Sequence, residues 1–175
     1  MRIITLIIAI LFLSSCNEKN KDKRELLTGM YKLVIAENLD STGVWREDPW
    51  TKGGTGYIVY DGLGHMAVHI TRAGYKDYNW LNRTDALNPE KINKRIDSMS
   101  VDELKAAVKQ FEGSYAYAAN YTMEDTADIV VHHRLTASIP AEWGTVAPRA
   151  FSFSGDTVIL RVLDGNRRLK WLKMQ

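Results

Sequence analysis

The sequence predicts an all-β domain: an antiparallel barrel of eight strands closed on itself, with a short helical insertion between the third and fourth strands. Three observations carry this. Eight short segments alternate apolar and polar residues, the period of a strand with one buried face. They recur at about ten-residue spacing with glycine-containing turns between them, the pattern of a sandwich or barrel. One intervening stretch, residues 73–113, switches instead to helical spacing.

The first strand, 29–38, sets Tyr31, Leu33 and Ile35 on one face. Segments 55–60 and 65–71 flank Asp61-Gly62-Leu63-Gly64, a strong hairpin signal. In 114–123, Tyr115, Tyr117 and Tyr121 share a face. Segment 127–138 places Ile129, Val131, His133 and Leu135 on one face and Val130, His132, Arg134 and Thr136 on the other. The first set is the more apolar and is expected to face the interior. Segment 148–154 groups Arg149, Phe151 and Phe153. Segment 157–163 follows the Ser154-Gly155-Asp156 turn, and 167–173 follows Asp164-Gly165-Asn166. Within the insertion, Asn88-Pro89 reads as an N-cap followed by proline at the first helical position. Ser100-Val101-Asp102-Glu103 is a capping box opening a helix over 101–111. Leu104, Ala107, Val108 and Phe111 form one apolar stripe on it. The two short helices should pack on or across one end of the β structure.

Composition sets the class. The chain has 175 residues, one domain's worth, with 45% hydrophobic and 25% charged residues. That excludes a largely disordered chain, a coiled coil and a polytopic membrane protein. With 23 Lys and Arg against 21 Asp and Glu, the net charge of +2 leaves no basic footprint for nucleic acid. One cysteine rules out an intramolecular disulfide, and four histidines leave little material for a metal site. No metal and no cofactor is expected.

The N-terminus reads as an address. After Met1-Arg2, residues 3–13 are almost unbroken apolar, too short to span a bilayer that needs roughly 20 residues, but the size of a signal-peptide core. The run ends in Leu13-Ser14-Ser15-Cys16, which resembles the bacterial lipobox. That resemblance implies a signal peptide over 1–15 and a mature protein whose Cys16 carries thioether-linked diacylglycerol, with the protein held in the cell envelope. Several acyl chains give stable anchoring at about 0.8 kcal/mol per buried CH2. Residues 17–25 contain no apolar side chain, so 16–27 is expected to be a solvated tether before a barrel domain over 28–175. Asn17 after the cysteine, rather than aspartate, favours the outer membrane.

The order of features resembles the lipocalin-like domain family of bacterial proteins. The residues that carry it are Gly29-Met30-Tyr31, with tyrosine where the family has tryptophan, then Gly56-Tyr57-Ile58-Val59-Tyr60 and the hairpin Gly62-Leu63-Gly64-His65-Met66. The Tyr115 to Tyr121 strand, Val130-Val131-His132-His133, Pro140-Ala141-Glu142-Trp143-Gly144, Arg149-Ala150-Phe151 and Leu169-Lys170-Trp171 follow in the family's order. The resemblance implies a barrel with a lumen and says little of what fills it.

Candidate site residues follow from the same alternation. Tyr57, His69, Tyr117, Tyr121, His133 and Arg149 are the expected lining for a small hydrophobic or amphipathic ligand. His133 offers a proton donor or acceptor on an apolar face, and Arg149 a guanidinium that must pair with an acid or an anionic ligand head. Gly62-x-Gly64-x-x-Ala67 loosely matches a dinucleotide fingerprint, but a strand rather than a helix follows it. His65 and His69 stand about 13 Å apart on a strand, too far to share one metal. Trp143, Tyr75, Tyr78 and Trp80 are aromatics of loops near a barrel mouth. The sequon Asn82-Arg83-Thr84 is read as chance. No nucleophile elbow or paired carboxylate stands out, so no catalytic residue is assigned. The leading expectation is a lipid-anchored ligand-binding barrel. A cofactor-independent isomerase or cyclase using the lumen, and a structural or adaptor lipoprotein, stand as alternatives.

Overall fold

Among the described residues nine strands form, and eight of them close. The computed structural model describes residues 22–77, 83–163 and 165–175. The leader, Cys16, half of the expected tether, Tyr78, Trp80, Asn82 and Asp164 lie outside the described residues. In chain order the strands are β1 (Gly29–Leu39), β2 (Trp45–Glu47), β3 (Thr55–Tyr60), β4 (His65–Thr71), β5 (Ser114–Met123), β6 (Ile129–Ala137), β7 (Val146–Ser154), β8 (Thr157–Val162) and β9 (Arg167–Lys173). Each of β3 to β9 pairs antiparallel with its neighbour in sequence. β1 pairs with both β3 and β9, which closes the sheet into a barrel.

β2 was not foreseen as a strand, because three residues are too few to show an alternation. Along one edge of β1, β3 holds Gly29 to Lys32, and β2 holds Glu37 to Leu39 further on. On the outer face there, Glu37 accepts from Arg168 at 2.6 Å and lies 3.0 Å from Lys170, and the Arg168 guanidinium covers the Trp45 ring at 4.2 Å.

The hairpin turns do what their residues dictate. Gly62 sits at φ +79°, and a Cβ there would meet Thr28 Oγ1 at 2.7 Å, so only glycine fits. The Asp61 carboxylate accepts the backbone N–H groups of Leu63, Gly64 and His65, which holds its pKa down at about 2. The loose dinucleotide match is therefore a hairpin.

The two ends of the barrel are finished differently. At the end where β1 begins, a short helix, α1 (Lys23–Leu27), is N-capped by Asp22 and drives Leu27 fully out of solvent. It corrects the expectation of a tether running to residue 27: the leucines of this segment bury themselves against the barrel. The Tyr31 hydroxyl donates to the Leu26 and Leu27 carbonyls at 3.2 and 3.0 Å, and burial pushes its pKa up to about 12. Beneath this plug the core contains Tyr60, Met66, Tyr121, Val130, Phe151, Val158 and Trp171. The Tyr60 and Tyr121 rings meet edge to face at 5.1 Å.

The helical insertion connects β4 to β5 at the opposite end. α2 (Pro89–Ser98) is N-capped by Asn88, and α3 (Val101–Phe111) opens with the Ser100–Glu103 capping box, both as their sequences predict.

Candidate functional site

Alternation decides which side chains enter the lumen, and pairing decides which of two faces that is. On β3 and β4 the more apolar set, Ile58, Tyr60, Met66, Val68 and Ile70, is buried inside. Tyr57 and His69 are cross-strand partners on the outer face, with Tyr57 37% exposed and His69 Nε2 3.0 Å from the Ser114 hydroxyl. Neither reaches the lumen, which corrects their expected place in the lining. On β5, Tyr115, Tyr117 and Tyr121 do point inward.

β6 runs opposite to the expectation. Tyr121 pairs with His132, so His132 shares the inner face and His133 points out, 3.1 Å from the Thr122 hydroxyl. Val130 and Arg134 go inside with His132, while Leu135 is 58% exposed. A register shift between Ala118 and Ala119 lets Ala119 pair with Arg134 and Tyr117 with Ala137. The more apolar face of β6 is thus the outer one. An enzyme built on a lumenal His133 loses its arrangement.

Above the packed core, the open end holds a cavity of about 820 Å3. Its apolar wall comes from Trp50, Ile70, Val162 and Leu169, with Val108 and Phe111 of α3 at the rim. Its polar wall carries Tyr115, Arg134, Arg149, Arg167, Glu112 and Glu142. Arg149 enters from β7, between Val130 of β6 and Val162 of β8. Tyr117 and Tyr121 belong to the packed core rather than to the wall.

Of the three guanidinium groups of the wall, two are paired with carboxylates. The Arg167 guanidinium donates to buried Asp48 at 2.6 Å. Arg134, its side chain only 9% exposed, donates to the Thr145 hydroxyl at 2.8 Å, lies 3.6 Å from Glu142 and stacks 4.9 Å above the Tyr117 ring. Glu142 also accepts from the Tyr115 hydroxyl at 2.7 Å; burial, and next that bond, push the Tyr115 phenol upward. Arg149 donates to the Pro148 carbonyl at 2.9 Å, and among the described residues no carboxylate pairs with it.

Below these guanidinium groups lies a buried polar relay. His132 has the Tyr60 hydroxyl 2.8 Å from Nε2 and the Tyr117 hydroxyl 2.8 Å from Nδ1. Burial, reinforced by the positive charges of Arg149 and Arg134, lowers its pKa to about 3, so the ring is neutral. A neutral imidazole has one donor and one acceptor. Tyr60 is 1% exposed, and its proton needs an acceptor. One tyrosine hydroxyl therefore donates to the imidazole and the other accepts from it.

Arg134, Glu142 and Trp50 are site residues that sequence reasoning missed. Counting across the β5–β6 turn does not by itself fix the register; the observed pairing of Tyr121 with His132 puts Arg134 on the tyrosine face. Among the described residues no three His, Cys, Asp or Glu side chains converge on a metal position.

A family profile described as a lipocalin-like domain matches residues 28–171. No curated protein and no solved structure matches the chain. The chain belongs to the lipocalin-like domain family.

Proposed function

We propose that this lipocalin-like barrel binds a small amphipathic ligand in the cavity of its open end, while lipidated Cys16 holds it in the bacterial cell envelope, at the outer membrane. The cavity of about 820 Å3 carries the reading: it is large enough for a ligand, mostly apolar, and has a few convergent polar groups. Eight-stranded barrels leave room for core side chains or one small guest, and here the open half keeps that room.

The start of the described chain and the mouth are at opposite ends. α1 leads into β1 at the closed end, while the cavity opens beside α3. From Cys16 to Asp22 the chain reaches roughly 20 Å at about 3.3 Å per residue. With that short a leash the mouth faces away from the bilayer, and ligand exchanges with the aqueous side rather than with the protein's own membrane.

Native mass spectrometry of protein extracted from its host tests the reading. A small molecule bound one per chain is expected, and it should be lost in Val162→Trp, which fills the cavity. A wild-type protein without a co-purifying molecule, and indifferent to hydrophobic probes, would overturn it. For the anchor, Cys16→Ala should move the protein from the membrane to the soluble fraction.

A further inference from the structure

Resting on the ligand-cavity reading, we propose that Arg149 binds the single carboxylate of an otherwise apolar ligand at the inner wall of the cavity. A guanidinium beside an apolar wall is unfavourable without an anionic partner. Arg167 has Asp48 and Arg134 has Glu142, whereas Arg149 has a backbone carbonyl and no acid among the described residues. Glu112, the remaining carboxylate of the wall, is exposed to solvent at the rim. The inner wall therefore has one uncompensated positive charge.

Its hydrogen-bonding groups have the matching sense. Most Arg149 N–H groups are uncommitted, while Arg134 is engaged by Thr145, Tyr115 and Glu142. Glu142, the acceptor nearby, already takes the Tyr115 proton. The free N–H groups of Arg149 suit a group that only accepts. One negative charge and two acceptor oxygens describe a carboxylate, bound in the forked geometry that guanidinium favours. Ile70, Val162, Leu169 and Trp50 are left for the apolar body of the ligand.

The test uses the full chain in lipid nanodiscs, with empty nanodiscs as blank, titrated calorimetrically with octanoate and with octan-1-ol. Octanoate should bind at least about tenfold more tightly than the alcohol, the scale of a charge-assisted hydrogen bond. Arg149→Gln should bring octanoate down to the alcohol's affinity and leave the alcohol unchanged. Arg149→Lys should retain part of the preference, and Arg161→Gln, an exposed outer-face charge, should retain all of it. Equal affinities in the wild type, or a parallel loss of both probes in a folded Arg149→Gln, would overturn the carboxylate site while sparing the cavity. Binding of neither probe would overturn both.

Discussion

The closed and open ends of this barrel are built from one alternation and reach opposite outcomes. At the closed end the inward positions are Tyr31, Tyr60, Tyr121, Val130, Val158 and Trp171, all essentially out of solvent. A five-residue helix, α1, presses Leu27 into what remains. At the open end the inward positions include Arg134, Arg149 and Arg167, whose polar heads cannot be packed dry. The covering element there, α3, leaves Val101, Val108 and Phe111 more than half exposed. It borders the opening without filling it. Closure of the sheet is common to both ends, so closure does not by itself make a cavity. The size and charge of inward side chains, and the depth to which the capping helix inserts, decide that.

The sharpest way to break this contrast is to hollow the closed end. Trp171→Ala should lower unfolding stability by about 3–5 kcal/mol in urea denaturation, while Leu169→Ala, beside the existing cavity, should lose less than about 2. Equal losses would mean that the two ends are packed alike.

Acid should act on the closed end next. His132 has a folded pKa near 3, against an unfolded value of 6.5. Between these values the unfolded state binds the extra proton, so stability is fully present above about pH 6.5 and declines as pH falls toward 3. The loss is on the order of 4 kcal/mol over that window. His132→Leu should flatten this slope in pH-dependent denaturation. An unchanged slope would place the acid sensitivity elsewhere.

Effects at the open end should be smaller and local. Ser100→Ala removes the capping box of α3 and should destabilise that helix by about 1 kcal/mol. Faster amide hydrogen exchange in Val101–Phe111, with the strands unaffected, is the expected outcome; exchange spreading through the barrel would show that α3 belongs to the global core. Smallest in stability is Phe111→Ser, which should stay within about 0.5 kcal/mol of wild type yet weaken octan-1-ol binding. A change in stability with binding intact would make α3 a structural lid rather than part of the site.

Eight of the nine strands, both insertion helices and their caps were legible in the residues, because each is a local matter. A hairpin needs Asp61 and Gly62 within four residues, and a capping box needs Ser100 and Glu103 one turn apart. α1 was not legible, since its worth lies in Leu27 meeting Tyr31 and the barrel's core rather than in helical periodicity. The site was half legible. Arg149 lines the cavity, and Tyr117 and Tyr121 face inward below it. Tyr57, His69 and His133 face outward, and Arg134 was passed over on the face taken for the outside.

The residues alone determined the alternating strands, their turns, the helical insertion and the membership of one face or the other along each strand, because backbone geometry couples these to neighbours in sequence. Only the tertiary structure decided which face of β6 looks inward, since a period of two defines two faces without a sign. The sign comes from Tyr121 pairing with His132 and from β1 meeting β9. It also decided that three arginines and a tyrosine-bound histidine share one lumen, because that convergence depends on closure across the whole chain and on no local pattern.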